Sequence, residues 1–89
     1  MSPVRPLFYT YVLKCDTGIF YTGATNDLDD RLKQHEMGKV FYTKNKLPVR
    51  LVYFEACLNK SDAYRRERYL KTGMGKRYLN NRIKGGLTG

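Results

Sequence analysis

Three stretches of the chain are rich in aromatic and β-branched residues, and each predicts a β-strand. Residues 7–15 set Leu7, Tyr9, Tyr11 and Leu13 against Phe8, Thr10 and Val12. Both faces are mainly apolar, as in a strand covered on both sides. Asp16, Thr17 and Gly18 form a turn, and residues 19–22 return as an antiparallel partner that ends in a turn at Gly23. Residues 49–57 are the clearest strand of the three and are expected at the centre of the sheet. Between and after these runs the apolar positions recur with helical spacing. Thr25 or Asn26 caps a first helix with Asp27, Asp29 and Asp30 near its positive end, and Gly38 ends it. Ser61 caps a second helix that runs to Thr72 and stops at Gly73, and a short third helix covers roughly residues 76–83.

Two of these helices carry polar groups where a core-facing stripe would be apolar. In the first, Leu28, Arg31, Leu32 and His35 stand at i, i+3, i+4 and i+7 and share one face. Taken alone, that spacing fits an Arg31 packed along its stem with its head in water, and a satisfied interfacial His35. In the second, Ala63, Glu67, Leu70 and Met74 form a stripe with a carboxylate in its middle. Burying such a charge costs several kcal/mol unless something pairs with it. The partner is either a cation of the chain (Arg31, Arg66 or Lys71) or a divalent metal. One carboxylate suits a loosely held Mg²⁺ whose shell is completed by water and substrate phosphate. Tyr11 and Tyr21 would sit on neighbouring strands of one hairpin, where packing is the usual task of a tyrosine.

Composition narrows the class of partner. At 89 residues the chain is one domain, residues 1–89, with a flexible arm at 1–6 and a flexible tail at 85–89. A hydrophobic content of 42%, with eight Tyr, four Phe and no Trp, suits an aromatic-rich core. The net charge of +9 favours a polyanion, nucleic acid before membrane. That charge is uneven: residues 1–57 carry 8 basic and 6 acidic side chains, residues 58–89 carry 9 and 2. The segment 39–48, KVFYTKNKLP, interleaves Lys39, Lys44 and Lys46 with Phe41 and Tyr42, a pattern that suits phosphates and a neighbouring base or sugar. Cys15 and Cys57 form no metal-binding spacing and are expected as free thiols, which with the lack of a signal peptide or long apolar run points to the cytoplasm.

The order of these features resembles the GIY-YIG endonuclease domain. Tyr11-Val12-Leu13 stands for the first motif and Tyr21-Thr22-Gly23 for the second. Arg31 and His35 follow at the family spacing, and Glu67 lies in the helix that precedes YLKTGMGKRYL. The likeness runs from Leu7 to Leu79 and is nearest to small stand-alone members similar to the catalytic module of the nucleotide-excision-repair nuclease. It implies an α+β fold, a small three-stranded antiparallel sheet flanked by helices, that cuts DNA phosphodiesters with one Mg²⁺ or Mn²⁺ ion and acts in repair or recombination. Residue by residue it implies that Tyr11 deprotonates or orients the attacking water and that Tyr21 positions the phosphate or the water. Arg31 would neutralise phosphate charge, His35 orient a tyrosine hydroxyl or aid proton movement, and Glu67 hold the metal. A phenol with a pKa near 10 needs nearby cations to act as a base at neutral pH, and Arg31 and the metal are expected to supply them.

The sequence also departs from the family pattern. Tyr9 and Thr10 replace the glycine and isoleucine of the first motif, and Asn80 and Asn81 both fall where a late asparagine is expected. With no separate DNA-binding domain, DNA contacts fall to Lys39, Tyr42, Lys44, Lys46, Lys71, Lys76 and Arg77, or specificity comes from a protein partner. Two rivals stand beside the nuclease. One is a nucleic-acid-binding module of the same fold without useful turnover; the other is an adaptor binding protein through Tyr64, Tyr69 and Tyr78.

Overall fold

The computed structural model describes residues 6–83, so most of the expected arm and all of the expected tail lie outside the described residues. The elements are β1 (Phe8–Lys14), β2 (Phe20–Thr25), α1 (Leu28–Glu36), β3 (Arg50–Cys57), α2 (Lys60–Leu70) and α3 (Gly73–Arg82). The strands form one antiparallel sheet in the order β2-β1-β3. β1, not β3, is therefore central. The reason was legible in β1 itself: a strand apolar on both faces needs cover on both, and residues 10–13 are all at most 1% exposed. β3 leaves Phe54 and Ala56 exposed on one face and so lacks the cover on both that β1 has.

Alternation along β1 divides the molecule. Thr10 and Val12 face α2 and α3. Val12, Leu70, Leu79 and Ile83 form the buried core there, with Phe20, Val52, Tyr53 and Tyr78 packed against it. The Thr10 hydroxyl donates to the Ala63 carbonyl at 2.9 Å and ties α2 to the central strand. A polar clamp closes the β3 side: Arg66 Nε donates to both oxygens of Glu55 at 3.1 Å, the Tyr53 hydroxyl donates to Glu55 at 2.8 Å, and the Arg66 guanidinium stacks 4.5 Å from the centre of the Tyr78 ring. Tyr78 is thus half-buried in this clamp rather than offered to a partner. On the opposite face, Tyr11 is paired with Gly23 and Leu13 with Tyr21.

Several element boundaries differ from those predicted. Asp27 caps α1 by accepting from the Asp30 amide, in place of Thr25 or Asn26. Asn59 caps α2 ahead of Ser61, because an Asn in extended backbone reaches the Ser61 and Asp62 amides. α3 begins three residues earlier than predicted, with Thr72 as its cap and Gly73 as its first residue rather than a stop. Gly38 does follow the end of α1 in the left-handed region, at φ +74°. β2 runs through Gly23 to Thr25 instead of turning there. Cys15 and Cys57 are free, and among the described residues no helix is long and apolar enough to cross a membrane.

Candidate active site

The sheet face that carries Tyr11 holds a buried chain of polar groups. Tyr11 and His35 are both 0% exposed, and the phenol oxygen lies 2.8 Å from His35 Nε2. Arg31 Nε donates to the same oxygen at 3.4 Å. On the far side of the imidazole, His35 Nδ1 is 2.7 Å from the hydroxyl of Thr43, itself fully buried. Because Arg31 already donates to the Tyr11 oxygen, the phenol proton serves the His35 Nε2 lone pair, and the imidazole proton then sits on Nδ1 and points to Thr43. The chain Arg31→Tyr11→His35→Thr43 is complete with a neutral histidine. Arg31 Nη1 also donates to Gln34 at 2.9 Å, and Gln34 donates to Asp30 at 2.7 Å, which fixes the guanidinium from the α1 side.

Local sequence explains how these groups meet. Tyr11 is cross-strand from Gly23, and a Cβ on Gly23 would stand 2.6 Å from the Tyr11 oxygen. The glycine makes the room the phenol occupies. The i, i+4 spacing of Arg31 and His35 brings both onto the face of α1 that meets Tyr11. Thr43 is held by the tight turns of residues 40–46, in which the amides of Thr43 and Lys44 both bond to the Val40 carbonyl.

Tyr21 and Glu67 face solvent across a cleft of about 730 Å³ along the outer edge of β2. Lys71, Lys76, Asn80 and Tyr42 line it too. The Tyr21 ring lies 5.1 Å from that of His35 and 6.3 Å from that of Tyr11, so the cleft is backed by the buried chain. Glu67 is half-buried, with 19% of its side chain exposed, and accepts from Lys71 Nζ at 3.1 Å. Of the cationic partners considered for it, Lys71 is the one it has. The rest of its stripe divides: Ala63 and Leu70 are buried, Met74 is exposed. Among the described residues no three of His, Cys, Asp and Glu gather into a metal cage. A single carboxylate oxygen donor in an open, lysine-flanked cleft fits an ion that keeps most of its water.

Burial pushes the Tyr11 phenol up to about 12, and the nearby Tyr21 and Glu67 add to the rise; the Arg31 hydrogen bond opposes it and loses. Arg31 alone therefore does not supply the lowering expected of it, and the phenol is sealed from solvent. The phenol that does reach the cleft is Tyr21. His35 is lowered to about 4 by burial and by the Arg31 charge, so it is neutral at pH 7, as the hydrogen-bond chain requires.

A histidine whose pKa falls on folding takes up fewer protons folded than unfolded between pH 4 and 6.5. Its contribution is complete above the unfolded value of about 6.5 and is lost as pH falls towards 4. We expect the urea midpoint to drop across that window, by up to about 3 kcal/mol of stability, and the drop to flatten in His35→Gln. An identical pH profile for the two proteins would remove His35 from this account.

The basic residues divide as well. Tyr42, Lys71 and Lys76 line the cleft. Lys46 folds back to donate to the Tyr42 carbonyl at 2.8 Å, and Lys44 rests over the Phe41 ring. Lys39 and Arg77 are exposed but line neither cleft on the β2 edge. Of the two late asparagines, Asn80 is on the cleft wall and Asn81 is not. Two residues escaped the sequence reading. Gln34 had a signal, since it lies i+3 from Arg31 and i+4 from Asp30; Thr43 had none, because only the loop path brings it under His35.

A three-stranded antiparallel sheet flanked by helices, with Tyr11, Arg31 and His35 in one hydrogen-bonded chain and Tyr21 and Glu67 on one cleft, makes this a small α+β domain with a polar site. The sequence profile of the GIY-YIG catalytic domain matches residues 7–83, and the chain belongs to that family. It is similar to UPF0213 proteins: 48% identical over 64 residues to one from Clostridium perfringens, covering 71% of this chain and 69% of that one. With one from Bacillus licheniformis the identity is 40% over 83 residues, covering 89% and 86%. The solution NMR structure of the UPF0213 protein BH0048 from Bacillus halodurans has the same fold, with a TM-score of 0.54 at 38% identity over 84% of this chain and 83% of that one.

Proposed function

We propose that the protein is a divalent-metal-dependent endonuclease that hydrolyses phosphodiester bonds of DNA. One observation carries the reading: Tyr21 and Glu67, from β2 and α2, share a single cleft with Lys71 and Lys76, while a buried hydrogen-bond chain holds Arg31 to Tyr11 behind it. Attack on a phosphodiester concentrates negative charge on the non-bridging oxygens, and preorganised cations are what that transition state needs. Arg31 meets that charge. Lys71 and Lys76 hold the flanking phosphates. Tyr21 orients the attacking water and takes part in moving its proton. Tyr11 and His35 act through Arg31 and Tyr21 as positioning residues, a revision of the role first expected for Tyr11. Glu67 is the residue that would hold Mg²⁺ or Mn²⁺, and such an ion supplies Lewis-acid stabilisation of the phosphoryl oxygens. Two free thiols suit a reducing compartment, and we place the protein in the cytoplasm with its substrate.

Nicking of supercoiled plasmid with Mg²⁺ or Mn²⁺ tests this directly. The wild-type protein is expected to nick and Arg31→Ala to lose the activity with its fold intact. A large fall in thermal stability of Arg31→Ala would show that the guanidinium is structural. Salt-sensitive DNA binding without nicking by the wild type would leave a binding module of the same fold.

A further inference from the structure

Arg31 does not line the cleft that holds Tyr21 and Glu67; it lines a second one, of about 370 Å³, between the N-terminal ends of α1 and α2. The two clefts follow each other along the same two elements. On β2, residues 20–22 belong to the first, and Ala24 and Thr25 to the second. On α2, Glu67, Leu70 and Lys71 belong to the first, and Lys60, Ala63 and Tyr64 to the second. Tyr64 and Glu67 are one helical turn apart, about 5 Å along the axis. The two clefts therefore adjoin along β2 and α2, with Arg31 lining one and Glu67 the other.

The chemistry of the two differs. The cleft of Glu67 carries two lysines against one carboxylate, an excess of positive charge suited to phosphate. In the second cleft, with Arg31 given to the phosphate, Lys60 stands against Asp27 and Asp30, so the rest of the lining has no net positive charge to offer an anion. The cleft has instead apolar lining in Phe8, Ala24 and Ala63, an exposed ring in Tyr64, and the amide of Asn26, that of Gln34 being held by Arg31 and Asp30. A flat, uncharged, hydrogen-bonding group is what that lining accepts. From this, and resting on the endonuclease reading, we propose that the cleft between the N-terminal ends of α1 and α2 is a nucleobase subsite. It takes the base of a nucleotide adjacent to the scissile phosphate, with Tyr64 as the stacking wall and Asn26 reading the base edge.

The subsite makes cleavage selective at one position beside the cut, a preference that no residue of the catalytic chain supplies. Cleavage of a DNA pool randomised around the cut should show a base preference at one fixed offset for the wild type. Tyr64→Ala should raise KM about tenfold, the effect of losing one aromatic–base stack. Asn26→Ala should flatten the preference at that offset and leave the other positions as they were. The four deoxynucleoside 5′-monophosphates, titrated separately into ¹⁵N-labelled Glu67→Gln protein, should shift the amides of Ala24, Thr25, Asn26 and Tyr64, and one base should do so most strongly. Shifts without any cleavage by the wild type would sink the endonuclease reading and keep the subsite. Cleavage with unchanged base preference in Asn26→Ala, or an absence of shifts at these four amides, would overturn the subsite whether or not the protein cuts DNA.

Discussion

Glu67→Gln is expected to cut plasmid nicking about a thousandfold while leaving the fold in place. The substitution keeps the shape of the side chain and removes its charge, so the hard anionic donor on that wall of the cleft is gone. Lewis-acid stabilisation contributes several kcal/mol to such a reaction, and at about 1.4 kcal/mol per decade its loss accounts for the factor stated. Stability should barely respond. Among the described residues the carboxylate pairs with Lys71, whose side chain is 53% exposed, and pairs of that kind contribute about 0–1 kcal/mol. A second readout separates the metal from the catalysis: Mn²⁺ should broaden NMR signals around Tyr21 and Glu67 in the wild type and not in Glu67→Gln. Equal nicking by the two proteins would mean a contaminating nuclease or a chemistry that does not use this residue.

The second large effect belongs to Gly23→Ala, a change of one methyl group. Its Cβ would lie 2.6 Å from the Tyr11 oxygen and 2.7 Å from the ring carbon that bears it, too close for either to stay. Tyr11 cannot yield without consequence, since it is fully buried and its hydroxyl is held by His35 and Arg31. Overpacking costs about 1–3 kcal/mol, and a broken buried hydrogen bond a further 1–3 kcal/mol or so. For a domain of this size that is a fall in Tm on the order of 10 °C or more. Cleavage should fall too, because Arg31 loses an anchor. Tyr11→Phe removes the nearest atom of the clash, though the ring carbon at 2.7 Å stays, and it removes the same hydrogen bonds that the clash breaks, so the two changes share that loss. The double variant Gly23→Ala/Tyr11→Phe should therefore melt above the sum of the two single losses, a coupling that independent sites do not show. A Gly23→Ala protein that melts and cuts like wild type would mean that the glycine is not there to seat the phenol.

How much of this was written in the chain differs from element to element. The three strands, the two long helices and their rough extents followed from alternation and 3.6-residue spacing, because those patterns record which faces are buried. The caps were read one or two residues off, since Thr25, Asn26 and Asp27, or Asn59 and Ser61, are chemically similar candidates and only backbone angles choose among them. Gly23 was read as a turn, because a glycine after a short apolar run has the same local signature whether it bends the chain or makes room across a strand. β3 was assigned to the centre on its composition, but position in a sheet is fixed by what covers each face. Cover is supplied by helices far away in sequence.

The site divides along the same line. The candidates were legible in the sequence only as an ordered set: spacing alone left Arg31 and His35 as interfacial groups and Tyr11 and Tyr21 as packing residues, and the resemblance to the GIY-YIG domain singled out Tyr11, Tyr21, Arg31, His35 and Glu67. What each can do was decided by tertiary structure. Two phenols equal in the sequence become different groups once one is sealed under α1 and pushed up to about 12, and the other opens on the cleft of Glu67. Burial, proton affinity and the sharing of one cleft by Tyr21 and Glu67 depend on distances between residues remote along the chain. Those distances are properties of the folded molecule and of no local stretch of it.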